Sequence, residues 1–107
     1  MAKRNKELGE LILDQRTKFG YSQKYVAQKL GIDISLLCKI EHGERKVQGR
    51  MLKEISELFD LSYEKLQIEF LSKKILTEFS KEPFIIDAME NCISCLSKNK
   101  LKSVENQ

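Results

Sequence analysis

The chain has 107 residues, of which 41% are hydrophobic and 33% are charged, and its formal net charge is +3. A chain of this length holds one small core, and one proline with five glycines excludes collagen-like, proline-rich and Gly/Ser-rich low-complexity proteins. No segment approaches the ~18 apolar residues of a membrane span, and no long apolar run follows the basic N-terminus, so we expect a cytoplasmic protein without a signal peptide.

The spacing of apolar residues is helical along nearly the whole chain, and signals for strands are weak, which predicts an all-α fold. Ser22, Asp33 and Ser62 are predicted N-caps, as is Asn5 for the first helix, and Gly20 is a predicted helix stop. We expect the polar tail from residue 99 to be frayed. The predicted helices cover residues 5–19, 23–30, 34–42, 49–59, about 63–81 and 84–97.

The second and third predicted helices are short and meet at a tight turn. Ala27 allows the two helices to pack closely, and Gly31 allows the sharp bend between them. The corner would be held by apolar residues at Val26, Leu30, Ile32, Leu37 and Ile40. This is a helix-turn-helix pattern, in which the second helix can enter a DNA major groove. Its predicted outer face carries the candidate base-reading residues Ile34, Ser35, Cys38 and Lys39.

The side chains on this face can make different kinds of contact with DNA bases. Lys39 can donate to guanine O6 or N7, and Ser35 suits several bases. Ile34 and Leu36 can contact a thymine methyl group or the sugar backbone. The alternatives are that Lys39 contacts only phosphate and that Leu36 packs inward.

Between Leu8 and Leu66 the sequence resembles the Cro/C1-type (XRE, phage repressor-like) helix-turn-helix family. The landmarks are Ser22-Gln23, Val26-Ala27, Leu30-Gly31-Ile32, Ile40-Glu41 and Gly43. The loop from Glu41 to Val47 is similar to that of restriction–modification controller proteins. The resemblance implies a five-helix lambda-repressor-like DNA-binding domain, which we predict over residues 1–66, and a sequence-specific transcriptional regulator.

The sequence departs from the family pattern in two places. Gln48 and Gly49 replace the usual capping residue and apolar residue before the fourth helix, so this helix is expected to start late. The third helix is also more apolar than is usual for the family.

The resemblance also implies roles for individual side chains. Gln23 would contact a phosphate at the start of the second helix, where amide groups favour anions. Lys24 is a further candidate for the DNA backbone, as are Arg45 and Lys46 in the loop after the third helix, although a solvated loop can carry such charges without binding. Arg16 and Glu41 would form a partly buried structural ion pair.

The distribution of charge agrees with a polyanionic partner for the first part of the chain. Residues 1–66 carry 13 Lys or Arg and 10 Asp or Glu, whereas residues 67–107 carry six of each. The whole positive excess therefore lies in the predicted helix-turn-helix domain.

Cysteine and histidine do not indicate an enzyme, a metal site or a cofactor. Three cysteines without a signal peptide argue against a disulfide scaffold, and one histidine is too few for a histidine-based metal site. Cys92 and Cys95 form a C-x-x-C motif without a second ligand pair, so packing in a helix is the expected role. A redox-sensing role for Cys38 needs a lowered pKa, and a plain small side chain is the simpler interpretation.

The predicted extension over residues 67–107 has more apolar residues than one small domain can hide. We therefore predict a homodimer, in which two recognition helices lie about 34 Å apart and bind a palindromic operator. The alternatives are a docking surface for a protein antagonist, or an antitoxin-like module that binds a partner through these helices. The predicted dimerisation residues are Phe70, Leu71, Ile75, Phe79, Phe84, Ile85 and Met89.

Overall fold

The computed structural model describes residues 7–105, with side chains for residues 7–98. These residues form no strand, so the predicted all-α class is confirmed. The helices are α1 (Leu8–Phe19), α2 (Gln23–Leu30), α3 (Ile34–Glu41), α4 (Leu52–Phe59), α5 (Tyr63–Phe79) and α6 (Ile85–Glu105), with a 3-10 turn at Gly49–Met51 before α4.

Local hydrogen bonds define most helix ends. Gly20 and Gly31 end α1 and α2 in the left-handed region, with φ of 72° and 71°. The three predicted side-chain caps are confirmed, because each accepts from the backbone N–H three residues later. The oxygen–nitrogen distances are 3.0 Å for Ser22 and Tyr25, 2.8 Å for Asp33 and Leu36, and 3.2 Å for Ser62 and Lys65.

The ends of the chain differ from the prediction. Asn5 lies outside the described residues, and α1 begins at Leu8 after Glu7, which provides no side-chain cap. The expectation of a frayed tail from residue 99 is wrong as far as Glu105, because α6 continues to that residue. The tail contains lysines, which are good helix formers, so its polarity does not end the helix. The late start of the fourth helix is confirmed by the 3-10 turn.

The chain forms two compact units with a boundary between Leu71 and Ser72. In the first unit, α3 packs on α2 and α1, and α4 packs on α1, on α2 and on the 3-10 turn. Their inward side chains form one core with the 3-10 turn and the start of α5. Its members are Ile12, Val26, Ala27, Leu30, Leu37, Ile40, Val47, Met51, Leu52, Ile55, Phe59 and Leu66.

The contact between α1 and α3 depends on Gly9. A Cβ atom at this position would overlap the backbone carbonyl of Ile40. Two backbones that approach this closely leave no space for a side chain. In the sequence, the close approach is indicated only by a single glycine inside a helical pattern.

Phe70 belongs to the first unit, where it packs against the core and lies beside Gly49. It is therefore partly buried within the domain, whereas the prediction grouped it with residues of an exposed surface.

None of the described helices is long and apolar enough to span a bilayer.

Candidate nucleic-acid interface

The turn between α2 and α3 sets the geometry of the candidate interface. Gly31 turns the chain, and the backbone N–H of Ile32 donates to the carbonyl of Ala27 at 3.0 Å. Asp33 then caps α3, and Leu37 and Ile40 are completely buried beneath it. Because α3 is held from its inner side, its opposite face stays open to solvent.

The four candidate base-reading residues lie on the open face of α3 with different exposure. Ile34 is 45% exposed, Ser35 and Lys39 are exposed, and Cys38 is half-buried. Leu36 instead packs partly against the core, as one of the alternatives had it. The surface of α3 therefore combines one apolar side chain, one hydroxyl and one cation.

His42 ends α3 and contacts the candidate face. Its Nδ1 lies 2.8 Å from the carbonyl oxygen of Cys38 and 3.5 Å from the Cys38 sulfur. The first distance requires a proton on Nδ1, which donates to the carbonyl. This contact ties the exposed imidazole to the last turn of α3, beside Lys39.

A buried carboxylate connects three helices beneath the interface. Glu41 is 2% exposed at its side chain and receives Arg16 in a two-pronged contact, at 2.7 Å from Nε and 3.2 Å from Nη2. Arg16 also donates from Nη1 to the carbonyl of Tyr21 at 3.1 Å. Such a two-pronged pair fixes orientation as well as distance.

Gln23 is the third member of this arrangement, which the sequence analysis did not predict. Its Nε2 donates to Glu41 Oε1 at 3.1 Å. One amide hydrogen is thereby used inside the protein, and the other amide hydrogen remains as a donor at the start of α2. The first turn of α2 is thus connected to the same carboxylate that joins α1 to α3.

The loop after α3 is held against the end of that helix. The backbone N–H groups of Glu44 and Arg45 both donate to the carbonyl of Lys39, at 2.8 and 3.3 Å. Val47 is 7% exposed and inserts into the core. Arg45 lies at the first attachment and Lys46 between the two, and both are exposed, as Lys24 is at the start of α2.

Charge is segregated along the first unit. Residues 16–53 contain nine Lys or Arg and three Asp or Glu, whereas residues 54–64 contain four Asp or Glu and no Lys or Arg. Of the three acids in the basic segment, Glu41 is paired with Arg16 and Asp33 caps α3. The helix-turn-helix segment therefore carries the positive potential that attracts a polyanion.

Cysteine positions differ from the prediction in one respect. Cys92 and Cys95 are exposed on α6, whereas packing was expected for both. Residues 7–98 contain no group of three side chains that could hold a metal ion.

The comparison with known proteins identifies the family. The sequence profile of the helix-turn-helix family matches residues 12–66, which is half of the chain. The chain belongs to the helix-turn-helix family. The prediction of the Cro/C1 type and of a lambda-repressor-like all-α domain is therefore confirmed.

One relative of this helix-turn-helix protein comes from Thermococcus kodakarensis and is named as a candidate HTH-type transcriptional regulatory protein. The two sequences are 32% identical over 75 residues, which make up 70% of this chain and 23% of the relative. The chain thus spans about a quarter of the relative's length. No solved structure gives a significant match.

Proposed function

We propose that this helix-turn-helix protein is a transcriptional regulator that binds double-stranded DNA sequence-specifically, as a homodimer on a palindromic operator. The observation that carries the proposal is the open face of α3, which is flanked by exposed cations in a segment with a large positive excess. The family match and the regulatory name of the archaeal relative support it.

In the proposed complex, α3 lies in the major groove and reads bases. Lys39 donates to guanine, Ser35 accepts from or donates to a base edge, and Ile34 contacts a thymine methyl group. Cys38 borders this set from a half-buried position.

Phosphate contacts fix the register of the protein on the duplex. Gln23 and Lys24 lie at the start of α2, where backbone N–H groups and the helix dipole favour an anion. Arg45 and Lys46 take the adjoining phosphates, from a loop that the carbonyl of Lys39 holds in place.

Exposed apolar side chains support the proposed dimer. Phe84 is 73% exposed, and Leu71, Phe79 and Met89 are exposed as well, whereas Ile75 and Ile85 are half-buried. Large apolar side chains exposed in this number are typical of a protein–protein contact. We assign the extension of residues 67–107 to dimerisation and residues 1–66 to DNA binding, and leave out Phe70 because it packs on the domain core.

The test is a selection from random duplex DNA with the purified protein in ~0.15 M salt, followed by titration of the enriched duplex with salt. We expect a palindrome whose half-sites lie about ten base pairs apart. The K39A variant should change the preferred base at one position of each half-site, and K81A, which removes an exposed lysine far along the chain from α3, should leave the motif unchanged. Binding that enriches no motif and disappears at moderate salt would refute sequence-specific regulation.

The same exposed apolar surface also favours a second candidate, an antitoxin-like or other protein-interaction module. Light scattering of the isolated protein at tens of micromolar separates the two. A dimer supports the regulator, and a monomer that associates only with another protein supports the interaction module.

A further inference from the structure

The apolar residues of α6 follow a heptad pattern. Ile86, Met89, Ile93 and Leu96 are separated by three, four and three residues. This spacing places isoleucine at two successive a positions, and methionine and leucine at the following d positions. Lys100 occupies the next a position, so the apolar seam covers two heptads.

These four side chains are open to solvent in the single chain. Ile86, Ile93 and Leu96 are 68%, 61% and 66% exposed, and Met89 is 38% exposed. A single helix face with this spacing and this exposure is suited to another helix with the same period, because each side chain can insert between four of its partner.

We propose that α6 pairs in parallel with α6 of a second copy of this chain, as a short two-stranded coiled coil with Ile86, Met89, Ile93 and Leu96 at its seam. The inference rests on the proposed homodimer and specifies which surface forms it. Among parallel coiled coils, isoleucine at a with leucine at d favours two strands.

The flanking positions favour the parallel orientation. In a parallel pair, Glu90 at position e lies beside Ile85 of the partner subunit, and Cys92 at position g lies beside Ser97 of the partner subunit. In an antiparallel pair with the same layers, Glu90 would face Glu90 of the partner subunit, and two like charges would repel. Between residues 86 and 96, the parallel arrangement brings no like charges together at positions a, d, e or g.

The area also fits an interface between two copies. The exposed parts of the seam and of Phe84 amount to roughly 600 Å² per copy, against ~800 Å² for a standard interface. Leu76 and Phe79 on α5 are 58% and 44% exposed and can supply the remainder. The seam is thus one part of a larger dimer contact, as expected for a helix pair too short to be stable alone.

The first test is sedimentation of three variants of the 107-residue chain. I93E places an ionised carboxylate at an a position and should raise the dissociation constant of the dimer by at least about a hundredfold. S94E changes the adjacent residue on the polar side of α6 and should leave the constant unchanged, and I93V keeps a β-branched a residue and should form dimers. Dimers of I93E as tight as those of the unmodified chain would overturn the proposed seam.

The second test determines the orientation by disulfide formation with a mild oxidant. In the variants M89C and S94C, Cys38, Cys92 and Cys95 are all replaced by serine. M89C should then form a disulfide-linked dimer, because equivalent d positions meet in a parallel pair, while S94C on the polar side should not. A version that keeps Cys92 alone should remain unlinked, since equivalent g positions meet only in the antiparallel pair. Linkage through Cys92 without linkage through M89C would overturn the parallel arrangement.

These measurements distinguish failure of the proposed seam from failure of the proposed function. If I93E remains a dimer and still selects a palindrome, the seam is refuted while the regulator stands. If the unmodified chain is a monomer and selects no motif, both proposals are refuted. If I93E is a monomer and its affinity for the selected duplex falls, both are supported.

Discussion

Glu41 is a buried charged residue that connects three helices of the first unit. Its carboxylate is nearly inaccessible and is shared by the guanidinium group of Arg16 and the amide of Gln23. A buried charge of this kind is tolerated only while its partners are present. Stability and the position of a proposed DNA contact are therefore linked through one side chain.

We expect R16M to lower the free energy of unfolding by about 3–5 kcal/mol, because it leaves the buried carboxylate of Glu41 without its cation. Urea denaturation followed by circular dichroism measures the change. K18M, which removes an exposed cation two residues away in α1, should change stability by less than ~0.5 kcal/mol. Equal losses in the two variants would show that the pair has no special role.

At Gly9, the limiting factor is space between two backbones. G9A adds a methyl group against the carbonyl of Ile40 and should cost about 1–3 kcal/mol of stability, since α1 and α3 must separate. Alanine is a better helix former than glycine, so without the close approach G9A would raise the free energy of unfolding instead of lowering it. E10A, at the neighbouring exposed position, should be neutral or slightly stabilising in the same thermal unfolding experiment. A stabilised G9A would contradict the close approach.

At the scale of elements, α5 has apolar residues on two opposite faces. Leu66 and Phe70 face the domain core, whereas Ile68, Leu71 and Phe79 are exposed. The periodicity of the sequence predicted the helix, but it does not indicate which of the two apolar faces packs on the domain core. Only the packing of the first unit distinguishes Phe70 from the exposed set.

The helix-turn-helix element itself was predictable almost to the residue. Ser22, Gly31 and Asp33 act through local backbone geometry, so their roles can be inferred from a few neighbouring residues. The hydrogen bond from Gln23 to Glu41 and the fit at Gly9 join residues far apart in sequence. Such contacts depend on how helices pack, which explains why sequence reasoning missed them.

Binding should respond differently to salt when a proposed phosphate contact is lost than when a proposed base contact is lost. R45A removes a proposed phosphate contact, so it should weaken binding to all duplexes and lower the slope of log affinity against log salt by about one. K39A should instead cost about 1–3 kcal/mol on the selected operator and relax preference at one base pair. Fluorescence anisotropy at several salt concentrations, on the operator and on a scrambled duplex, separates the two effects. Identical behaviour of the variants on both duplexes would mean that Lys39 reads no base.

At the scale of the whole molecule, the proposed dimer turns a weak contact with one half-site into a strong contact with two. Inserting about five base pairs between the half-sites of the selected operator turns them to opposite sides of the duplex. We expect affinity to fall to that of a single half-site, as measured by gel shift. An operator with one scrambled half-site is the matched control, and unchanged affinity after the insertion would contradict simultaneous binding of both half-sites.

The carbonyl of Lys39, which accepts two backbone N–H groups from the following loop, has a consequence for how this protein can change. The side chain of Lys39 is a proposed determinant of operator sequence, but the loop is attached to its main chain. Replacing the side chain leaves that attachment in place. Substitutions at position 39 can therefore change the preferred operator sequence. The proposed phosphate contacts of Arg45 and Lys46, which fix the position of the protein on the duplex, would remain unchanged.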